Sequence, residues 1–193
     1  MATTNKKRCP WLKLTNPTYV RYHDLEWGRP VHDDKVLFEL LTLEGAQAGL
    51  SWETVLMKRE HYRKVFANFD PRKVARFSQS KVEKLLLDSG IIRNRLKVES
   101  TVTNAQSFLK IQKEYGSFDK YLWGFVGRKP IITSFKKLSD YASKTELSDK
   151  ISKDLKKRGF RFVGSTIIYA FMQATGMTQD HSKDCYLHGR HFK

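Results

Sequence analysis

The 193-residue sequence has only two cysteines, five prolines and eleven glycines. Two cysteines cannot build the disulfide framework of a small secreted protein. No apolar run approaches the roughly 18 residues that a membrane span needs. The basic residues among the first eight are followed by Cys9 and Pro10, where a signal peptide would have its apolar stretch. We therefore expect a cytoplasmic protein that folds as one domain over 1–193, because domains cluster near about 100 to 200 residues.

Acidic residues are also scarce, since 20 Asp and Glu stand against 36 Lys and Arg, which gives a formal net charge of +16. This excess favours a polyanionic partner, and nucleic acid is the leading candidate. The alternative is that the basic residues only keep the protein soluble. Apolar residues make up 40% of the chain and aromatic residues 12%, which is enough for a core and excludes general disorder.

Apolar residues recur at helical spacing along most of the chain, and no alternating strand series is visible. The helix-start signals are Asp33, Ser51 for a helix toward Phe66, Asp70 with Pro71, Ser80 with Glu83 as a capping box, and Ser165. Two further helices are predicted from about 94 to 115 and from about 147 to 158, ended by Gly116 and Gly159. The sequence therefore predicts an all-α fold.

The turn at 87–92 joins two short helical patterns and is followed at once by Arg93, Arg95 and Lys97. A helix-hairpin-helix uses such a turn to direct backbone N–H groups at a DNA phosphate. An ordinary helix connection with a C-cap glycine at Gly90 explains the same residues. A second basic run at 150–161 is open to the same two interpretations, phosphate contact or a solvated helix face.

A Cys/His set of the number and type of a closed tetrahedral zinc site is formed by Cys9, His23, His181 and Cys185. The spacing of His181 and Cys185 is i, i+4, so on a helix both side chains would face one way. Such a site would join the two ends of the chain. The alternative is two buried free thiols and two incidental histidines, because other histidines are available, namely His32, His61, His188 and His191.

Aromatic residues are dense around two stretches that carry acids. The first stretch holds Trp11, Tyr19, Tyr22 and Trp27, and the second holds Glu44, small residues and Trp52. A carboxylate beside aromatic faces suits a planar cation, which would stack on the rings and donate hydrogen bonds to the acid. The alternative is that Glu44 lies on the surface at a helix end and that the aromatic residues fill the core.

Several motifs occur in a fixed order: RCPW (8–11), YHDLEWG (22–28), EGAQAGLSW (44–52), SGIIR (89–93), KKRGFRFVG (156–164) and the closing pair His181 and Cys185. On these motifs the chain resembles the 3-methyladenine DNA glycosylase I family. The resemblance covers essentially everything after Lys7. Several motifs in the right order are more specific than any one of them, and they favour the functional interpretation at each of the sites above.

The resemblance implies a helix-hairpin-helix DNA glycosylase fold with two small helical lobes, 36–150 with the hairpin near 80–98, and 8–35 with 160–193 around a structural zinc ion. It implies a monofunctional enzyme that flips 3-methyladenine out of alkylated double-stranded DNA and hydrolyses its N-glycosidic bond, which starts base excision repair and releases 3-methyladenine. We expect the enzyme to be a monomer and to work at the nucleoid.

The resemblance also assigns residues. Glu44 is the catalytic-site acid that recognises the methylated base, Tyr22 and Trp52 line its pocket, and Tyr19, Trp11 and Trp27 complete the aromatic wall. The zinc ligands are Cys9, His23, His181 and Cys185. The residues that hold the DNA backbone are Gly90, Ile91, Arg93 and Arg95.

Two rival functions stay open. One is a zinc-stabilised DNA-binding lesion sensor without catalysis, and the other is a broader glycosylase that also removes 3-methylguanine or 7-methylguanine. Lyase chemistry is disfavoured, because no lysine stands directly after the hairpin and no aspartate occurs between Glu99 and Phe118.

Overall fold

The computed structural model describes residues 6–190; residues 1–5 and 191–193, which include His191 and the ends of the predicted domain and lobe, lie outside the described residues. Helices dominate, and the predicted all-α class is confirmed. The helices of 6–190 are α1 (Pro17–Leu25), α2 (Asp34–Gln47), α3 (Trp52–Leu56), α4 (Arg59–Val65), α5 (Pro71–Val74), α6 (Gln79–Leu86), α7 (Arg95–Tyr115), α8 (Phe118–Gly124), α9 (Glu146–Lys157) and α10 (Ser165–Ala174). None of these helices is both long and apolar enough to cross a membrane.

Most of the predicted helix ends are confirmed by hydrogen bonds. The side chain of Asp33 accepts from the Val36 backbone N–H, which caps α2. The Asn94 side chain caps α7, and Gly116 ends that helix in the left-handed conformation at φ +85°.

Two local predictions were wrong. Helix α6 begins at Gln79, because Ser78 has extended backbone angles and its hydroxyl accepts from the Lys81 N–H, so the predicted cap at Ser80 lies inside the helix. The helix predicted from Ser51 toward Phe66 is broken into α3 and α4 at residues 57–58.

The pair His181 and Cys185, whose i, i+4 spacing would place both side chains on one face of a helix, lies in a run of turns and not on a helix. The Cys185 N–H donates to the Ser182 carbonyl at 2.7 Å, and the His188 N–H donates to the Cys185 carbonyl at 3.0 Å. These i to i+3 bonds form tight turns, which bring the two side chains together as a helix would have done.

One short parallel pairing was not predicted. Strands β1 (Ile131–Ile132) and β2 (Thr178–Gln179) pair with Ile131 opposite Thr178. Two residues are too few to show an alternating pattern. The pairing fixes the segment after β1 beside the segment that leads to His181.

The buried residues form two clusters. The larger one is built around α2, α7 and α10. The smaller one joins the two ends of the chain and consists of Cys9, Tyr22, Trp27, Leu56, Cys185 and Leu187. Trp52 packs against both clusters. The junction between the clusters is where the candidate site lies.

Candidate active site

The four predicted Cys and His ligands come together in the structure. Cys9, His23, His181 and Cys185 are all buried, and their ligand atoms lie within 4.8 Å of one another. Cys9 Sγ is 3.5 Å from His181 Nδ1, and Cys185 Sγ is 3.6 Å from both His23 Nε2 and His181 Nδ1. Tetrahedral zinc with ordinary bond lengths places sulfur and nitrogen ligands about 3.6 Å apart. The cluster therefore has the atoms and spacing that a metal ion requires.

Outer hydrogen bonds orient both histidines of this cluster. His23 Nδ1 lies 2.8 Å from Asp24 Oδ1, and Asp24 in turn accepts from the Arg8 guanidinium at 2.8 Å. His181 Nε2 lies 3.1 Å from the carbonyl oxygen of Trp27. In each ring the other nitrogen faces the sulfur atoms, which is the arrangement that metal-bound histidines adopt. A hydrogen bond between the two cysteine side chains lowers the pKa of Cys9 to about 7 and raises the pKa of Cys185, so it favours a thiolate at Cys9.

The other histidines within 6–190 have partners outside the metal-ligand set. His32 lies 2.6 Å from Asp119 Oδ1, and His61 lies 2.8 Å from Asp88 Oδ2. His188 contacts only the backbone of the cluster, through the carbonyl of His181 at 2.9 Å. Among the histidines of 6–190, only His23 and His181 belong to the four-residue ligand cluster.

A cavity of about 260 Å³ opens beside this cluster. Its wall contains every residue predicted for the base pocket: Trp11, Tyr19, Tyr22, Trp27, Glu44 and Trp52. Tyr22 and Trp52 are tilted against each other with ring centroids 5.3 Å apart, and Trp11 and Trp27 meet edge to face at 4.8 Å. Tyr22 and Trp27 are almost completely buried, whereas Trp11, Tyr19 and Trp52 are partly exposed toward solvent.

Glu44 lies in the last turn of α2 and is only 3% exposed, so the alternative of a surface residue is excluded. Burial raises the pKa of its carboxyl group to about 8. Its Oε2 atom has no hydrogen-bond partner among the described residues. The same is true of the indole N–H groups of Trp11 and Trp52. Buried polar atoms are nearly always paired, so three unpaired ones on one cavity wall indicate a site for a polar ligand.

The turn between α6 and α7 is hydrogen-bonded to α4 and to the residue directly before it. The Ile92 N–H donates to the Tyr62 hydroxyl at 3.0 Å, and Lys58 Nζ donates to the Ser89 carbonyl at 2.7 Å. Gly90 is in contact with the His61 ring, because an added Cβ atom would lie 2.2 Å from its Cδ2. The Gly90 N–H donates to Asp88 Oδ1 at 2.8 Å.

The four residues predicted to hold DNA occupy different environments. The Ile91 side chain is buried, so only its backbone can face a ligand. Arg93 and Arg95 are both exposed. The Arg95 guanidinium donates to both carboxylate oxygens of Glu83, at 2.6 and 2.8 Å, and also pairs with Glu99 at 3.5 Å.

Comparison with known proteins agrees with this geometry. The sequence profile of the methyladenine glycosylase family matches residues 11–188. This chain belongs to that family. The DNA-3-methyladenine glycosylase 1 of Escherichia coli is 49% identical over 93% of this chain and 95% of its own length. The DNA-3-methyladenine glycosylase of Haemophilus influenzae is 47% identical over 92% of this chain and 96% of its own length.

A crystal structure of 3-methyladenine DNA glycosylase I superposes on this chain with a TM-score of 0.92. The two sequences are 47% identical, and the match covers 94% of this chain and 100% of the other. The family predicted from the motifs is thereby confirmed.

Several residues of the cavity wall in this family member were not predicted. They are Gln47, Leu138, Tyr141, Ala142, Ala170 and Gln173. Gln173 is oriented by its amide, which donates to Asp180 Oδ2 at 2.7 Å. Tyr141 stands among Ser, Lys and Asp residues that read as a loop, and no local pattern shows that this loop lies against residues from the start of the chain.

Proposed function

We propose that this protein excises 3-methyladenine from alkylated double-stranded DNA by hydrolysing the N-glycosidic bond, and so starts base excision repair. The observation that carries the proposal is the buried Glu44 carboxyl group, whose Oε2 is unpaired in an aromatic cavity. Relatives that are 47% and 49% identical carry the name of DNA-3-methyladenine glycosylase. Because the proposed substrate is chromosomal DNA, we expect the protein to act in the cytoplasm.

The electrostatics of the cavity suit this base. Methylation at N3 gives adenine a positive charge, and this charge favours ionisation of Glu44 once the base has entered the cavity. The resulting carboxylate and the electron-rich ring faces then attract the cation. Normal adenine is neutral and gains none of this attraction. Departure of the methylated ring leaves a neutral base, so the leaving group is already activated, and water then attacks the sugar. Glu44 acts in this scheme through its charge and its contact with the base.

Access to the bond requires extrusion of the nucleotide, because a base inside the duplex cannot reach the cavity, and unstacking costs a few kcal/mol. We assign the turn at Gly90 and Ile91, with the exposed Arg93 side chain, to holding the DNA backbone during this step. The turn is suited to this role because its fastening to α4 preorganises it.

The Cys/His cluster would hold one zinc ion through Cys9, His23, His181 and Cys185. Four protein ligands leave no open position, so the ion would supply stability and no chemistry. It would join the two ends of the chain directly behind the aromatic wall, since His181 hydrogen-bonds Trp27. Its contribution to function is the shape of the cavity.

The position of Lys97 supports hydrolysis without lyase activity. Lys97 is the first lysine after the turn at 87–92, and a Schiff-base nucleophile needs a free neutral amine at the reacting carbon. Its Nζ instead donates to the carbonyls of Ala46 and Ala48, at 2.9 and 2.6 Å. Lys97 is also not among the residues that line the aromatic cavity.

The test is to incubate the protein with duplex DNA treated with a methylating agent and to identify the released bases by chromatography. We expect 3-methyladenine above the spontaneous background, intact strands, and no covalent adduct when borohydride is added. Folded protein that binds this DNA but releases no base would favour the lesion sensor. Equal release of 3-methylguanine or 7-methylguanine would show the broader glycosylase, and trapped adduct would show a lyase. Sedimentation of the same preparation checks the expected monomer.

A further inference from the structure

We propose that Lys97 is a positioning residue that holds the loop after Glu44 at a fixed distance from the DNA-binding hairpin. This inference rests on the proposed function and extends it. Lys97 would connect the loop after Glu44 to the hairpin, two segments that are far apart in the sequence. This role requires no contact between Lys97 and the base.

The ammonium group of Lys97 connects α7, the helix that follows the hairpin turn, to the end of α2. Lys97 lies in the first turn of α7, and its backbone N–H donates to the Asn94 side chain at 3.1 Å. From there Nζ donates to the carbonyl of Ala46 at 2.9 Å and to that of Ala48 at 2.6 Å. The two bonds connect segments that are 51 and 49 residues apart in the chain.

The end of α2 has a specific need for such a cation. The last carbonyl groups of a helix lack partners within the helix and carry partial negative charge. No basic residue occurs in the last turn of α2 itself, so Lys97 supplies the charge from another element. Burial lowers the pKa of Lys97, which shows that its amine is partly withdrawn from water in this position.

The segment that Lys97 holds forms the rim of the site. Gln47 stands between the two acceptor residues and lines the aromatic cavity. Gln47, Ala48, Gly49 and Leu50 also line a second cavity of about 220 Å³, which shares Glu44 with the first. A shift of this loop would therefore move the entrance next to Glu44.

The other end of the bridge is held as well, because Tyr62 of α4 and Lys58, directly before α4, hydrogen-bond the turn of the hairpin. A phosphate held at the hairpin would thus sit at a set distance from the loop and from Glu44. Excision from DNA depends on this distance, because the sugar must stay close to Glu44 while the base enters the cavity. Binding of the free base needs only the cavity. Displacements of about 1 Å far from the chemistry can cost up to about a hundredfold in rate.

The experiment compares Lys97→Met with Lys110→Met, which removes the same charge from an exposed position of the same helix. For Lys97→Met we expect kcat/KM on methylated duplex to fall roughly tenfold to a hundredfold, while affinity for free 3-methyladenine stays within about twofold. Lys97→Arg should restore part of the rate, because its guanidinium can donate to both carbonyls. Lys110→Met should retain the wild-type rate.

A second readout does not depend on catalysis. Binding of undamaged duplex should slow amide hydrogen exchange in the loop 46–50 of the wild type and of Lys110→Met, and this protection should be lost in Lys97→Met. Unchanged protection in Lys97→Met would overturn the inference even in a protein that releases no base. Parallel loss of excision, free-base affinity and thermal stability would show a merely structural role and overturn it too. A salt dependence of DNA binding that becomes shallower by about one unit in Lys97→Met alone would show direct phosphate contact instead.

Discussion

The side chain of His181 hydrogen-bonds the backbone carbonyl of Trp27, with Nε2 3.1 Å from the oxygen, and the two rings meet edge to face at 4.8 Å between centroids. The Nδ1 atom of the same ring faces the sulfur atoms of Cys9 and Cys185. One histidine thus belongs to the Cys/His cluster and also contacts the aromatic wall of the cavity. Gly28 makes this contact possible, because an added Cβ atom would lie 3.0 Å from His181 Nε2.

Loss of the metal should therefore weaken base binding as well as stability. We expect Cys185→Ala, or removal of zinc by a chelator, to lower the melting temperature, because an incomplete closed site binds metal poorly. Affinity for free 3-methyladenine should fall with it as Trp27 loses its support. Calorimetry, metal analysis and base titration measure the three effects, with His32→Ala as the control for loss of a histidine outside the cluster. A wild-type protein of normal stability that contains no metal would contradict the zinc assignment.

Glu44→Gln should show whether the carboxyl group acts through its charge. The change prevents ionisation of this side chain and alters its volume little, so the fold should persist while excision of 3-methyladenine falls, because the cationic base then has no anionic partner in the cavity. Chromatography of released bases checks the rate, and circular dichroism checks the fold. A well-folded variant with wild-type excision would exclude the proposed role.

The same substitution should change how stability depends on pH. Burial raises the pKa of Glu44 from an ordinary value of 4.5 to about 8, so between these values the folded protein keeps a proton that the unfolded chain has released. The stability contributed by the neutral group is therefore complete below pH 4.5 and is lost as pH rises toward 8. Glu44→Gln should match the wild type near pH 4.5 and become increasingly more stable than it up to about pH 8. Denaturant unfolding at several pH values measures the gap, and a constant gap would contradict the raised pKa.

Local signals predicted much of the fold. Caps such as Asp33 and Asp70 act over two or three residues, and their hydrogen bonds form as the sequence indicates. The error at Ser80 arose because Ser78 offers the same hydroxyl two residues earlier. The helix α1, which carries Tyr22 and His23, was missed because its apolar positions are few and it is held largely by packing and by the Asn16 cap.

The residues of the candidate site were predicted from motifs, but the burial of Glu44 was not. Composition and spacing could not show that Glu44 is buried, because its position at a helix end suits either the surface or a cavity. Nor could they show that Tyr141 and Gln173 close the cavity, since these residues are brought there by the long-range pairing of β1 with β2 and by α10. Such contacts depend on the whole fold.

The contact between Gly90 and His61 gives a prediction with an internal rescue. In Gly90→Ala the new methyl group meets the His61 ring and must displace it from Asp88. We expect a loss of about 1 kcal/mol in stability, because the ring is partly exposed and can shift, and weaker DNA binding. His61→Ala removes the obstacle, so the double variant Gly90→Ala with His61→Ala should recover stability relative to Gly90→Ala. Denaturant unfolding of the four proteins forms a double-mutant cycle. If the two effects simply add, the steric account of Gly90 is wrong.

The two hairpin arginines should differ in their contribution to DNA binding. Arg95 donates to both oxygens of Glu83, which compensates its charge in the free protein, whereas Arg93 is exposed at the end of the turn. Each phosphate contact that releases counterions adds about one unit to the slope of log K against log salt. We therefore expect Arg93→Gln to reduce the slope by about one unit, and Arg95→Gln to change it less. Fluorescence anisotropy with undamaged duplex over a range of salt measures both slopes, and the opposite order would mean that DNA breaks the pair of Arg95 with Glu83 on binding.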